Sequence, residues 1–143
     1  MCGIAGVFNR DGRTVERAWL TAMASTLCHR GPDADGFWTD AGLGLAHRRL
    51  SVIDVSEAGR QPLGTEDGTV QVCYNGEIYN FDEIRRELIG RGHRFVSRTD
   101  TEVIAHAWEE WGPRAVDRFN GMFAFAVWHR TQRRLWLVRG PGT

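Results

Sequence analysis

The second residue of the chain is a cysteine, and its position has the largest chemical consequence. Cys2 follows Met1 and precedes an apolar run over residues 4–8. Removal of Met1 would leave a thiol and a free α-amine on one residue, and these groups ordinarily titrate near pH ~8.5 and ~7.7–8.0. One residue can then act as nucleophile and base, as N-terminal threonine nucleophiles do. The alternative is a small apolar residue that starts a buried strand.

The composition argues against several classes of partner. Lys plus Arg and Asp plus Glu both number 18 in 143 residues, so no excess charge favours nucleic acid or an anionic membrane. No apolar run is long enough to cross a bilayer, and the N-terminus lacks a secretory signal pattern. A cytoplasmic protein that acts on a small molecule or on another protein domain is therefore expected.

The spacing of cysteines and histidines predicts neither a disulfide framework nor a metal site. Cys2, Cys28 and Cys73 are widely separated, which fits a reducing compartment in which the last two are buried and inert. The five histidines show no zinc-like spacing, so they are interpreted as surface or hydrogen-bonded core residues.

The first half of the chain alternates strand and helix patterns. Residues 4–8 predict a buried strand that ends in a turn. A helix follows from Val15 with Thr14 as its N-cap, and its apolar face is formed by positions 15, 18, 19, 22, 23 and 27. Strands are predicted around 36–39 and 42–49, extended chain over 50–55 and a surface loop over 56–68.

The second half predicts a further strand, two helices and a hairpin. Residues 70–75 alternate with period two, so Gln71, Cys73 and Asn75 share one face of a strand that enters a turn at Gly76. Asn80 and Glu83 resemble a capping box. The remaining predictions are a helix to 90, a short strand at 94–96, helices over 101–111 and 113–119, and a hairpin of 121–129 with 134–138. This mixture predicts an α+β layered fold.

Several ordered motifs resemble those of the glutaminase domain of class II glutamine amidotransferases. They are MCGIAG (1–6), RGPD (30–33), AHRRLSVID (46–54), YNGEIYN (74–80), TD (99–100) and GMFAFA (121–126). Within that family the chain is most similar to the asparagine synthetase group. The motifs span residues 1 to about 139, and their order makes the resemblance specific where a single motif would not be.

The resemblance implies the fold of N-terminal nucleophile hydrolases, a four-layer αββα sandwich of antiparallel sheets. The implied reaction is hydrolysis of the glutamine side-chain amide to glutamate and ammonia through a thioester on Cys2. The side-chain amide of Asn75 and the backbone N–H of Gly76 match the donors to the oxyanion. Such donors contribute about 2.7–4 kcal/mol each in comparable sites.

The resemblance also implies how free glutamine is bound. Arg49 matches the position that binds the α-carboxylate, and Asp100 matches the position that binds the α-ammonium. The pocket lining is expected to include Leu50, Ser51, Val52, Ile53 and Glu77. Each assignment has a purely structural alternative, because Arg49 could pair with a surface carboxylate, Asn75–Gly76 could form only a tight turn, and Asp100 could be a helix N-cap. Arg30 lies in a loop that packs by the nucleophile in this family and receives no definite role.

The last residues depart from the family pattern. Relatives usually continue after the position of Arg139 with Asp, Gly and a Lys-Pro-Leu-Tyr-like strand, whereas here residues 140–143 read GPGT. The expectation is a glutaminase domain over residues 1–143 that is C-terminally incomplete and lacks its last strands, as in a truncation, a frameshift or a split gene. The synthetase domain, for which ATP and Mg²⁺ are expected, is absent from these residues, and no cofactor is expected within them.

Several functions remain open on these residues. The first is an active glutaminase that supplies ammonia to a synthetase domain or chain, with a homodimer left open. The second is an inactive or regulatory module that binds glutamine without hydrolysing it. A third is the glutaminase domain of an amidotransferase with another ammonia acceptor. A fourth, from a different class, is a Cys–His hydrolase that uses His47.

Overall fold

The protein, described here from a computed structural model, is defined over residues 2–50 and 56–141 and has two antiparallel sheets and three α-helices in those ranges. The strands are β1 (Gly3–Phe8), β2 (Ala34–Asp40), β3 (Leu43–Arg49), β4 (Leu63–Gly64), β5 (Val70–Ile78), β6 (Gly121–His129) and β7 (Arg134–Arg139). The helices are α1 (Arg17–Thr26), α2 (Phe81–Gly90) and α3 (Asp100–Trp111), and short 3₁₀ segments cover Glu57–Gly59 and Gly112–Arg118.

The two sheets stack face to face between layers of helix. The first sheet has the order β1-β3-β2 and the second β4-β5-β6-β7. Leu43 and Leu45 of β3 pack against Cys73 of β5 and Trp128 of β6, which forms the core between the sheets. Because successive side chains of a strand point to opposite faces of its sheet, the other face of each sheet is left for the helices to cover.

The outer faces are covered by α1 on one side and by α2 and α3 on the other. Leu20 and Ala24 of α1 pack with Ala46 of β3, whereas Val103 and Ile104 of α3 belong to the large core on the second sheet. The order of layers is therefore helix, sheet, sheet, helix. This confirms the α+β prediction and the αββα sandwich.

The buried face of α1 differs from the predicted one. Leu20 and Ala24 are buried, whereas Trp19 is 54% exposed and Ala18 also faces solvent. Apolar residues occur on all sides of this helix, so periodicity alone could not select the face. The N-cap residue is Glu16 rather than Thr14, so that prediction was wrong as well.

The segment 56–68 is not the surface loop that its composition predicted. It contains the short strand β4 as well as the buried residues Gln61, Leu63 and Thr65. The short strand predicted at 94–96 is absent, because this part of the chain instead supplies backbone N–H groups of Val96 and Ser97 to the buried carboxylate of Glu102.

Two further local predictions need correction. The strand β5 runs through Gly76 to Ile78, so Gly76 lies within a ladder and not in a turn. Asn80 precedes α2 but makes no side-chain cap, since its amide bonds the backbone of Arg118 and Asn120 instead. The predicted hairpin is confirmed as β6 and β7. No helix of the described residues is long and apolar enough to cross a membrane.

Candidate functional site

One cavity of about 590 Å³ brings the predicted site residues together. The cavity lies at the N-terminal end of β1 and the C-terminal ends of β3 and β5. The start of α3 and the first half of β6 complete its wall. Its lining includes the predicted residues Cys2, Arg49, Leu50, Asn75, Gly76, Glu77 and Asp100. The volume suits a small molecule. Ser51, Val52 and Ile53, which were also predicted to line it, lie outside the described residues.

The thiol of Cys2 is held against the end of β3. The backbone N–H of Leu50 donates to Cys2 Sγ at 3.4 Å, and the thiol reaches the Leu50 carbonyl at 3.7 Å. The guanidinium of Arg30 donates to the Cys2 carbonyl at 3.2 Å. Cys2 is half-buried, so its sulfur is both fixed in position and open to the cavity. Arg30, for which the sequence indicated no definite role, therefore anchors the cysteine backbone.

The guanidinium of Arg49 is placed by the last residue of β3. The side chain is only 7% exposed, and one of its nitrogens donates to the carbonyl of Ser56 at 2.7 Å. A guanidinium buried to this degree forms no surface ion pair with the described residues. A buried guanidinium that lines a cavity offers a planar pair of donors to a carboxylate ligand.

Asn75 and Gly76 occupy the part of β5 that faces the cavity. Asn75 lies on the same face as Cys73, which is the face toward the first sheet and Cys2. Gly76 has a φ of +152°, and a Cβ at this position would overlap the Met122 carbonyl oxygen on β6. Only glycine fits here, and the reason is the close approach of a neighbouring strand rather than a turn.

The carboxylate of Asp100 is buried at the first residue of α3. One oxygen accepts the Tyr74 hydroxyl at 2.6 Å and the Ile78 N–H at 3.1 Å. Burial raises the pKa of Asp100, while these two hydrogen bonds act in the opposite direction and the net shift is upward. The N-cap of α3 is Thr99, whose hydroxyl accepts the Glu102 N–H, so the alternative of Asp100 as N-cap is wrong.

Among the lining residues that the sequence did not indicate, Gln61 and Tyr74 have the clearest structural roles. Gln61 is buried, and its carbonyl oxygen accepts the Tyr74 N–H at 2.6 Å while its amide donates to the Thr101 hydroxyl at 3.0 Å. It thereby links β5 to the start of α3. The period-two alternation places Tyr74 on the opposite face of its strand from Cys73 and Asn75, and it was given no role in the site. A buried tyrosine requires a partner for its hydroxyl, and that requirement was the available signal.

His47 does not pair with Cys2. Its Nε2–H donates to the Tyr74 carbonyl at 3.0 Å across the space between the sheets, and the residue is 1% exposed. Burial lowers its pKa to about 4, with a further contribution from the charge of Arg49, although the hydrogen bond to Tyr74 acts in the opposite direction. The ring is a neutral core residue, and the geometry does not support a Cys–His hydrolase.

The other cysteines differ from each other. Cys73 is buried, its thiol donates to the Ala46 carbonyl at 3.4 Å, and burial raises its pKa. Cys28 was also predicted to be buried, but it is exposed. The helix α1 ends at Thr26, so Cys28 falls in the following turn, outside the packed face.

Known proteins share both the sequence and the fold. The family described as glutamine amidotransferase domain matches residues 1–141. Asparagine synthetase [glutamine-hydrolyzing] 1 of Bacillus subtilis is 42% identical over 144 residues, which cover 99% of this chain and 23% of that protein. Asparagine synthetase [glutamine-hydrolyzing] 1 of Arabidopsis thaliana is 43% identical over 128 residues, which cover 89% and 21%. The chain thus spans about a fifth of the length of these curated relatives.

A solved structure gives the same result for the fold. The glutamine phosphoribosylpyrophosphate amidotransferase of B. subtilis, complexed with ADP and GMP, superimposes with a TM-score of 0.68 at 18% identity. The match covers 91% of this chain and 35% of the other. Since the family match covers nearly the whole chain, and the cysteine and its cavity lie where the motifs predicted them, the chain belongs to the glutamine amidotransferase domain family.

Proposed function

We propose that this chain hydrolyses the side-chain amide of L-glutamine to glutamate and ammonia, with Cys2 as the nucleophile. The observation that carries the proposal is the shared cavity, which is lined by a cysteine, a buried arginine and a buried aspartate. A free amino acid presents opposite charges at its α-carbon. Arg49 and Asp100 offer the complementary pair of charges in the lining of the cavity, and the Cys2 thiol lines the same cavity for the side-chain amide.

The chemical steps balance without a cofactor. The Cys2 thiolate attacks the amide carbon, and a C–S bond forms while the carbonyl oxygen becomes an oxyanion. The α-amine of Cys2, freed by removal of Met1, relays the thiol proton to the leaving nitrogen, directly or through a water. The C–N bond breaks, ammonia leaves and a γ-glutamyl thioester remains. Water then attacks the thioester, and breakage of the C–S bond restores the thiol.

The oxyanion is assigned to Asn75 and Gly76. A side-chain amide and a backbone N–H aimed at the developing charge are the preorganised donors that acyl transfer requires. The fit of Gly76 against Met122 supports this role, because any larger residue would move the strand that carries both donors.

The ammonia is proposed to serve a synthetase domain or chain that binds ATP and Mg²⁺. Support comes from the curated relatives, which are asparagine synthetases of whose length the matched residues make up about a fifth. Asparagine formation from aspartate is the favoured acceptor reaction on the same ground. A dimer and a cytoplasmic location remain expectations of the same proposal.

The direct test compares wild type with Cys2→Ala in two assays, both on untagged protein. Ammonia release from glutamine should be lost in Cys2→Ala, whereas calorimetry should detect glutamine binding in both proteins. Ammonia release by Cys2→Ala at the wild-type rate would overturn the assignment. Binding without turnover in wild type would instead identify a glutamine-binding module.

A further inference from the structure

We propose a second site, a divalent transition-metal site formed by His93 and by His106 and Glu109 in the second half of α3, whereas the glutamine cavity lies at the start of this helix. Zinc is the favoured ion. Two imidazole nitrogens with one carboxylate form a set of three protein ligands that Zn²⁺ commonly takes, with a fourth position left for water. The site is independent of the proposed glutaminase reaction, since none of these residues lines that cavity.

The three facing atoms already have the spacing of a tetrahedral site. His93 Nδ1 lies 3.1 Å from His106 Nδ1 and 3.1 Å from Glu109 Oε1, and His106 Nδ1 lies 3.6 Å from the same oxygen. Metal–ligand bonds of about 2.0–2.1 Å in a tetrahedron separate the ligands by about 3.3–3.4 Å. An ion therefore fits slightly above the plane of the three atoms without rearrangement of the chain.

The far nitrogen of His93 is hydrogen-bonded to a second carboxylate, and a carboxylate also lies near the far nitrogen of His106. His93 Nε2 lies 3.1 Å from Glu110 Oε1, and His106 Nε2 lies 3.7 Å from Glu102 Oε2. A carboxylate on the far nitrogen places the proton there and directs the lone pair of Nδ1 toward the shared point. This is the arrangement by which metal-binding histidines are ordinarily held.

The supporting groups are themselves fixed. Glu102 is 3% exposed and accepts the N–H groups of Val96 and Ser97 at 2.9 Å and 2.7 Å, so its carboxylate cannot rotate freely. The ring of Phe95 packs on that of His106 with centroids 4.6 Å apart. His106 is 2% exposed. Rigid support of this kind lowers the cost of assembling a metal site.

The local charge favours a cation. His106 Nε2 lies 3.9 Å from Glu66 Oε1 and His106 Nδ1 lies 3.6 Å from Glu109 Oε1, so carboxylates flank both nitrogens of this buried ring. In addition, three potential ligand atoms face one another at close range. A metal ion can occupy the point that they share, and the alternative is a hydrogen bond between the two imidazoles with a proton on one Nδ1.

A second cavity gives access to the site. Its volume is about 400 Å³, and its lining includes His93, Glu109, Glu66 and Arg94. The metal would join the connection between α2 and α3 to the middle of α3, whose first residue is Asp100. The sequence did not indicate this site, because 13 positions separate the two histidines and only the turn after α2 brings them together.

The test is a cobalt and zinc titration of untagged, metal-stripped protein. Cys2→Ser is the background, since a free N-terminal cysteine is itself a metal ligand. One equivalent of Co²⁺ should give the visible bands of a tetrahedral site, and Zn²⁺ should displace it. His93→Gln and Glu109→Gln should each weaken metal binding by about tenfold to hundredfold. His29→Gln, which changes an exposed histidine elsewhere, is the matched control and should bind as the background does.

A second measurement needs no substitution of a metal ligand, so it remains valid if a substituted protein fails to fold. Zinc should protect His93, but not His29, from acylation by diethyl pyrocarbonate, as read by peptide mass. At a hundredfold excess of zinc over its Kd the Tm should rise by roughly 10 °C. Absence of tetrahedral cobalt bands at stoichiometric metal would overturn the proposal. Bands that persist in both His93→Gln and Glu109→Gln, or protection that includes His29 equally, would overturn it as well.

Discussion

The hydroxyl of Tyr74 donates a 2.6 Å hydrogen bond to the carboxylate of Asp100, which joins the outer face of β5 to the first turn of α3. The same carboxylate oxygen accepts the Ile78 N–H. These two donors fix the carboxylate at the wall of the cavity that Asp100 lines. The position of the candidate ammonium-binding group is thus set by a residue on the opposite side of its strand from Cys2.

Replacement of Tyr74 by Phe should weaken glutamine binding. The change removes a hydrogen bond to a charged group, which contributes about 1.5–3 kcal/mol, so KM should rise roughly 10–100-fold while kcat changes little. Steady-state ammonia release measures both constants. Tyr79→Phe, at a tyrosine that is 54% exposed, is the control and should leave KM unchanged. An unchanged KM in Tyr74→Phe would remove Tyr74 from the binding account.

Asp100→Asn should bind glutamine more weakly than wild type. Its free energy of unfolding, relative to that of wild type, should increase as the pH rises toward neutrality. Because burial raises the pKa of Asp100, the folded state binds more protons than the unfolded state above the ordinary carboxyl pKa. Wild-type stability is therefore penalised as pH rises through the raised pKa, and the amide variant escapes that penalty. Urea unfolding from acid to neutral pH tests this, with Asp117→Asn at an exposed position as control. A variant that becomes relatively less stable as pH rises would contradict the assignment.

His47 should make the fold sensitive to mild acid. Its pKa is lowered from 6.5 to about 4, so its contribution to stability is complete above pH 6.5 and is lost as pH falls toward 4. The full loss is about 3 kcal/mol for this buried ring. His47→Gln keeps a donor for the Tyr74 carbonyl but does not titrate, so its urea midpoint should fall less over this range. Equal pH slopes in both proteins would show that another group is responsible.

Gly76→Ala should damage both the fold and the site. The added Cβ falls on the Met122 carbonyl, so the ladder between β5 and β6 must shift. A cost of about 1–3 kcal/mol in unfolding free energy is expected, together with a fall in kcat. Gly90→Ala is the matched control, because nothing lies within 4 Å of a Cβ at the end of α2. Wild-type stability and kcat in Gly76→Ala would contradict the close-packing argument.

Much of the fold could be predicted from local pattern. The strand β5 and the hairpin of β6 and β7 carry clear period-two or turn signals, and α3 is closed by Gly112 and Pro113. Residues whose role depends on distant partners were harder. Gln61 sits in a stretch rich in loop-forming residues, and only its contacts with Tyr74 and Thr101 make it a core residue.

For the same reason, some residues of the candidate site could be predicted from the sequence and others could not. Cys2, Arg49 and Asp100 were identified through ordered motifs, and the cavity brings them together. Composition and spacing alone would have left each as a plausible strand or capping residue. Tyr74 and the cluster around His93 and His106 depend on packing between elements, which no local pattern reports.

The most direct test of the central claim is the intact mass of untagged protein before and after treatment with a glutamine-like diazoketone. We predict a mass without Met1 and one stoichiometric adduct, which maps to Cys2 and is blocked by excess glutamine. Cys28 is exposed and so serves as an internal control for unspecific alkylation. Retention of Met1, or an adduct that glutamine does not block, would contradict the claim that Cys2 is an N-terminal nucleophile for glutamine.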